Sequence, residues 1–399
     1  MIGARAALIA ALIAAPIVAR AQSNDVAGAL LPAVSAYRSG DLASAEAALR
    51  PLVAAGSADA MAWLGAVLID RGASRDGLQL LQKAVDSGSS EGAQQLALAY
   101  AEGRGVPRDD GRALELLQKA ASAGLHRAQL NLGTLYFRGQ GTPRDLIQAR
   151  FWLEKAASDN DPYALYALAR AMDDSQGAAQ YDPVRAADLY RRAAEKGHPL
   201  AALRYGLALY DGNGVKRDLE AGQRWVLYAN ASGAPEAALA LGDIAVRRPA
   251  GRDKAANDKV VQTAISWYET AARAGVASAQ FKLANAYFAG AGVARDQAQA
   301  MQWYDRAARQ GQPEAEHAMG VWLLAGLSGV SDPVEGYKWL LLAEAGGHPD
   351  SRTVRDKAGE KVSESDRRRA EALAAIFKPV SERPLDGSMP RLGPPTIRP

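Results

Sequence analysis

Leu80, Leu116, Trp152, Leu189, Trp225, Trp267, Trp303 and Trp339 hold one recurring slot, with steps of 36, 36, 37, 36, 42, 36 and 36 residues between them. A period of that length with a single outlier confines the chain to an array, because one unit this small cannot bury its own apolar face and must stack on copies of itself. The unit is clearest from Ala277 to Gln312. Apolar and small residues recur at helical spacing from Ala279 through Leu283 and Ala284 to Tyr287, and a second stripe runs through Ala300, Trp303 and Ala307. Gly290 and Gly292 stand between the stripes, which makes two short helices joined by a tight turn. Asp296 is placed to accept from the exposed amides that open the second helix, and Gly311 to close that helix in the left-handed region.

The turn returns as Gly103-x-Gly105 before Asp109, Gly139-x-Gly141 before Asp145, and Gly212-x-Gly214 before Asp218. The third repeat carries the fullest set: Ala128, Leu132, Gly133, Tyr136, Gly139, Gly141, Asp145, Trp152, Ala156 and Ala157. This pattern resembles the Sel1-like repeat family, a relative of the tetratricopeptide repeat, over roughly residues 28 to 376. The resemblance implies an all-α, right-handed superhelical solenoid of stacked helix-turn-helix repeats. It also implies scaffolding or regulation, in settings such as envelope signalling, polysaccharide export or secretion.

An α-solenoid has no single core, so 399 residues are compatible with one continuous array. Formal net charge is +3, and setting aside Arg5 and Arg20 of the N-terminal segment leaves +1, which gives no electrostatic case for nucleic acid. The absence of cysteine excludes disulfide staples and thiolate zinc sites. It also sets the chain apart from family members whose hairpins are clamped by paired cysteines.

Residues 1–21 have a charged start, a short apolar run and an Ala19-Arg20-Ala21 ending, the layout of a secretory signal. Pro16 and Arg20 interrupt the run, and no stop-transfer segment follows, so no membrane span is expected and the mature chain is expected in the periplasm or outside the cell. Residues 24–57 read as a divergent capping hairpin with Tyr37, Gly40 and Asp41 at its turn, and residues 58–348 as eight repeats. Asn160 replaces the closing glycine of the third repeat, and Asn is the next-best residue for a left-handed cap. The sixth repeat stretches its turn over residues 246–260, with Arg247, Arg248 and Arg252 as a secondary basic contact point for an acidic partner or glycan. Residues 349–378 should close the stack, with a helix over Glu364 to Phe377, Ser363 as its cap, and Ala370, Leu373 and Ile376 as its covering face. Six prolines fall in residues 379–399, which read as a disordered tail or a ligand segment for another protein.

Motifs of catalysis dissolve on inspection. Gly88-Ser89-Ser90-Glu91-Gly92 has the letters of a nucleophile elbow but lies between two helices rather than between strand and helix. Ser158-Asp159-Asn160 lacks the Ser-x-x-Lys and Lys-Thr-Gly that would accompany it in a β-lactamase. The Gly-x-Gly turns lack the third glycine and preceding strand of a dinucleotide site. His198 and His348 share one slot at repeat ends four repeats apart, His126 is next to that slot, and only His317 falls away from the core stripe, so no metal or cofactor is expected. The tryptophans read as packing between repeats, because Leu replaces them elsewhere.

The face of each first helix that does not pack remains: Asn131, Thr134 and Arg138 in the third repeat, Arg170 in the fourth, Arg204 in the fifth, and Lys282 with Asn285 in the seventh. These positions vary while the frame does not, as a binding surface would. The expectation is a non-catalytic periplasmic scaffold or regulator that binds a protein or peptide of the cell envelope in the solenoid's groove. The alternative is an envelope protein that binds or hydrolyses peptidoglycan or exopolysaccharide, which calls for convergent carboxylates or exposed aromatics in that groove.

Overall fold

The computed structural model describes residues 28–174, 181–247, 254–327, 329 and 331–382. The expected signal segment at 1–21, the tail beyond 382, and Arg248 and Arg252 lie outside the described residues. The described residues form helices in sequential pairs: α1 (28–39) and α2 (Leu42–Ala54); α3 (Ala58–Asp70) and α4 (Ser74–Asp86); α5 (Ser90–Glu102) and α6 (Asp110–Ser122); α7 (His126–Arg138) and α8 (Leu146–Ala156); α9 (Pro162–Met172) and α10 (Pro183–Glu195). The pairs continue with α11 (Pro199–Asp211) and α12 (Leu219–Ala231); α13 (Pro235–Val246) and α14 (Lys254–Arg273); α15 (Ala277–Ala289) and α16 (Gln297–Arg309); α17 (Pro313–Ala325) and α18 (Pro333–Ala345); α19 (Ser351–Gly359) and α20 (Glu364–Ile376). The fold is all-α, a solenoid of hairpins. Contacts divide the chain into two compact units, one ending at Lys196 and the other beginning at Gly197. In both, each hairpin packs on the next, and first helices also touch, α3 on α5 and α7 on α9 in the first unit.

Each hairpin closes where two small residues meet. A Cβ on Gly133 would lie 2.6 Å from Leu153 Cγ and 3.1 Å from the Ala149 carbonyl, and one on Gly206 would lie 2.9 Å from the Gly222 carbonyl. Three residues before the recurring slot the second helix accordingly carries only glycine or alanine, as at Gly77, Ala113, Ala149, Gly222 and Ala300. The turn explains the rest of the motif. The amides of Asp145 and Asp296 donate to the carbonyls of Tyr136 and Tyr287 (both 2.9 Å), which ties the turn back to the first helix. Their carboxylates then accept from Gln148 N (2.9 Å) and Gln299 N (3.0 Å), the cap read from the sequence. Arg144, just before that Asp, donates through Nε to the Phe137 carbonyl at the end of the first helix (3.0 Å), as Arg217 does to Tyr210 (3.1 Å). The second glycine of the turn serves the stack, since a Cβ on Gly141 would come within 2.5 Å of the Asp110 carbonyl in the preceding repeat, and one on Gly292 within 2.7 Å of Val261.

One expectation gains detail and three need correction. The most buried position of the second helix is one residue beyond the recurring slot: Leu153 is 1% exposed and Tyr304 4%, whereas Trp152 and Trp303 are half-buried at the margin between repeats. Trp303 packs against the apolar clusters on both sides of that seam, as packing between repeats requires, and Trp339 in the same slot is only 4% exposed. The sixth-repeat insertion is not wholly a loop, because its residues from Lys254 onward lengthen α14 to 20 residues against the 13 of α12 and α16. The closing region holds two helices rather than one. On α20, Ser363 caps Asp366 N (3.1 Å) as expected and Ala370 is fully buried, but Ile376 is 73% exposed, so the covering face is narrower than its spacing suggests. Asn160, by contrast, has φ 61°, the expected left-handed cap.

Candidate functional site

The candidate residues do not converge on one point. In the first unit, Phe137 of α7 lies between two guanidiniums, those of Arg144 and Arg170, each 5.3 Å from its ring. Arg170 also faces Tyr166 (5.9 Å), and Arg144 pairs with Asp174. Arg170 is thus engaged by aromatic faces, and Arg138, next to Phe137, is solvent-exposed. Thr134 donates to the Leu130 carbonyl of its own helix (2.8 Å), and Asn131 is half-buried.

In the second unit, Asp243 gathers two donors, Lys282 Nζ and Tyr268 OH, both at 2.7 Å. Burial and this carboxylate together push the Tyr268 hydroxyl pKa well up. Lys282 also lies 5.3 Å from the Tyr268 ring, so it too has a packing role that its position on the helix did not disclose. Asn285 accepts from Tyr304 OH, Arg204 is exposed, and Arg247 reaches Asp211 (3.2 Å).

Sequence reasoning missed three features. One slot of the first helix reads Met61, Ala93, Gln129, Leu165, Ala202, Ala238, Gln280 and Glu316, apolar except in three repeats. Gln129 and Gln280 donate to the carbonyl eight residues back, Ala121 (3.2 Å) and Ala272 (3.1 Å). Glu316 is 4% exposed, and burial raises its carboxyl pKa to about 7. The polar exception in an apolar slot is the signal that could have found them.

The second feature is a pair of stacked imidazoles, His317 and His348, with ring centroids 4.1 Å apart and the buried Ser351 hydroxyl within 2.9 and 3.1 Å of their Nδ1 atoms. Burial, followed by the neighbouring His348, lowers the His317 pKa. His198, in the slot of His348, caps α11 instead by accepting from Ala201 N (3.2 Å). The third feature is the segment after α20, which returns to the seventh repeat: Glu382 receives Arg306 Nε (2.9 Å), Arg306 Nη2 (2.6 Å) and Gln280 Nε2 (2.8 Å). The Arg306 hydrogen bonds hold the Glu382 carboxyl below the usual carboxylate range. The first four residues of the expected disordered tail therefore include an ordered contact.

Among the described residues no group of three or more His, Asp or Glu is arranged to hold a metal ion. Also among the described residues, no helix is long and apolar enough to cross a membrane.

A solved Sel1 repeat protein from Oxalobacter formigenes is 28% identical, with TM-score 0.56, covering 77% of this chain and 89% of that one. A protective antigen from uropathogenic Escherichia coli with an SLR fold is 22% identical, with TM-score 0.44, covering 90% and 92%. No curated protein matches the chain. The Sel1 repeat profile matches residues 90–125, 126–161, 162–198, 199–233, 258–276, 277–312 and 313–348. Six of these stretches span whole hairpins of the period, the stretch in the sixth repeat covers part of its second helix alone, and the chain belongs to the Sel1 repeat family.

Proposed function

We propose that this chain is a non-catalytic interaction scaffold of the cell envelope, holding a protein or peptide partner against the first-helix layers of its hairpins. Sel1 repeats generally mediate protein–protein interaction, and the family membership supports that role here. The observation that carries the reading is the division of labour within the repeat. The paired small residues, the Arg-Asp turn and the second glycine are occupied in closing and stacking hairpins, while exposed positions such as Arg138 and Arg204 differ from repeat to repeat. Export through the signal at residues 1–21, with a mature start at Gln22, belongs to the same proposal.

The experiment is a pull-down from periplasmic extract with the mature chain, repeated with Arg138→Gln and Arg204→Gln together. A specific protein should be recovered and its binding should weaken with salt, since cationic contacts favour an acidic partner. Recovery of cell-wall fragments instead would favour the polysaccharide reading, and intact mass retaining Met1 in the exported protein would remove the export proposal.

A further inference from the structure

Immediately beyond α20, residues 377–382 run back along the protein. Phe377 sets its ring edge-on to Trp339 (centroids 5.4 Å apart), and Pro379 covers Gly311, where a Cβ would lie 3.0 Å from the proline ring. The Val380 amide donates to the Arg309 carbonyl (2.9 Å), and the Glu382 amide donates to Gln310 Oε1 (3.2 Å). The Glu382 carboxylate then takes three hydrogen bonds, two from Arg306 and one from Gln280.

The receiving surface is built for this. Gln280 is wholly buried, and its amide is fully employed: Nε2 donates to Ala272 O and to Glu382, and Oε1 accepts from Gln310 Nε2 (2.8 Å). Without a carboxylate, one of its two donors would have no acceptor, an unfavourable arrangement for a buried amide. Arg306 is held over the Trp303 ring (4.6 Å), which fixes its fork toward the same point. Gly311 also differs from the equivalent closing glycines, since a Cβ at Gly88, Gly124, Gly197, Gly233 or Gly347 would meet nothing within 4 Å.

We propose that Gln280, Arg306, Gln310 and Gly311 form a docking site for a short extended protein segment of the pattern Pro-x-x-Glu, and that Pro379–Glu382 occupies it in cis as a built-in competitor. A partner segment of the same chemistry enters by displacing the tail. The proposal rests on the reading of the chain as a scaffold and assigns that role a position and a ligand chemistry. Tethering through α20 gives the chain's own segment a high effective concentration, so a free segment binds poorly until the tail is released.

The test uses the full mature chain and a labelled peptide, Phe-Lys-Pro-Val-Ser-Glu-Arg, with blocked ends. Glu382→Gln should raise its affinity at least about tenfold over the unaltered chain, because the competitor loses its anchor. Adding Arg306→Ala to that variant should abolish binding, as should replacing the peptide's Glu with Gln. In the unaltered chain the Val380 amide should be protected from hydrogen exchange, and Arg306→Ala should remove the protection. Equal binding with and without Glu382→Gln, no binding to the variant at millimolar peptide, or binding carried by a tail exchanged between two copies would overturn the proposal. Peptide binding in the absence of any recovered partner would count against the scaffold reading and leave this site standing, whereas the reverse result would remove the site alone.

Discussion

Repeat seven and repeat three place the same parts around different tenants. Gln280 and Gln129 hold the same slot and the same bond to a carbonyl eight residues back. Arg306 lies over Trp303 at 4.6 Å, and Lys155 lies over Trp152 at 5.0 Å. The two repeats part at the end of the second helix. Where repeat seven has Gln310 and Gly311, repeat three has Asp159, which faces His126 (3.1 Å), and Asn160, which receives Arg192. Gln280 Oε1 is satisfied by Gln310, whereas Gln129 Oε1 is buried with no hydrogen-bond partner among the described residues. A buried glutamine and a cation over a tryptophan are thus shared frame, and the carboxylate site arises from two further positions, a neutral donor–acceptor at 310 and an open glycine at 311. In repeat three an acidic side chain already occupies the first of these and an asparagine the second.

The largest expected effect tests that the frame is common to both repeats. Leu153 is buried to the same degree as Tyr304 in the equivalent slot. Leu153→Ala should lower stability in chemical denaturation by about 2–5 kcal/mol, as large-to-small changes in well-packed cores do. Tyr304→Phe, which keeps the packing and removes only the hydroxyl bond to Asn285, should cost about 1 kcal/mol. Comparable losses from the two would mean that the slot beyond Trp152 is not the seam between hairpins.

The next effect extends the comparison to repeat eight, where the glutamine slot holds Glu316. Its folded pKa is raised from 4.5 to about 7, so the folded state holds the proton more tightly than the unfolded one. Stability associated with this group is therefore greatest below about pH 4.5 and is lost as pH rises through about 7, by up to roughly 3 kcal/mol. Glu316→Gln restores the residue of repeats three and seven and removes the titration. Thermal midpoints should rise relative to the parent at pH 8 and match it near pH 5, and the same difference at both values would show that Glu316 is not the group responsible.

Much of the frame was legible in the sequence because periodicity reports whatever every copy must do. Asp145 and Asp296 as caps, Asn160 as a left-handed residue, and the glycines of the turn all stand where the period placed them. Periodicity does not report depth: Trp303 packs between repeats as its period implies, yet Tyr304, one residue further on, is the more deeply buried. Nor does it report partners that break the repeat. Lys282 was read as open because Asp243, its partner, lies 39 residues away, and Gln280 meets Glu382 across 102 residues. The proline content of the tail concealed an ordered contact for a related reason. Composition describes a segment alone, and Pro379–Glu382 is held by a surface formed elsewhere in the chain.

The smallest expected effect separates the two repeats most directly. Lys155 and Arg306 hold the same position over the same ring, and neither is deeply buried, so replacing either with alanine removes a cation–π contact worth about 0.5–1 kcal/mol at an exposed site. Arg306 additionally supplies two of the three hydrogen bonds to Glu382. Exposed ion pairs contribute about 0–1 kcal/mol, so the difference in stability between Lys155→Ala and Arg306→Ala should be small and close to the limit of a denaturation curve. Local opening is the more sensitive measure, because a four-residue segment can detach without any hairpin unfolding. Hydrogen exchange at the Val380 amide, which donates to Arg309 O, should accelerate in Arg306→Ala and stay at the parent rate in Lys155→Ala. If both variants left that amide equally protected, the tail would be held by Pro379 on Gly311 and by its main-chain bonds alone. The distinction between the two repeats would then rest on the glycine at 311 and not on the cation over the tryptophan.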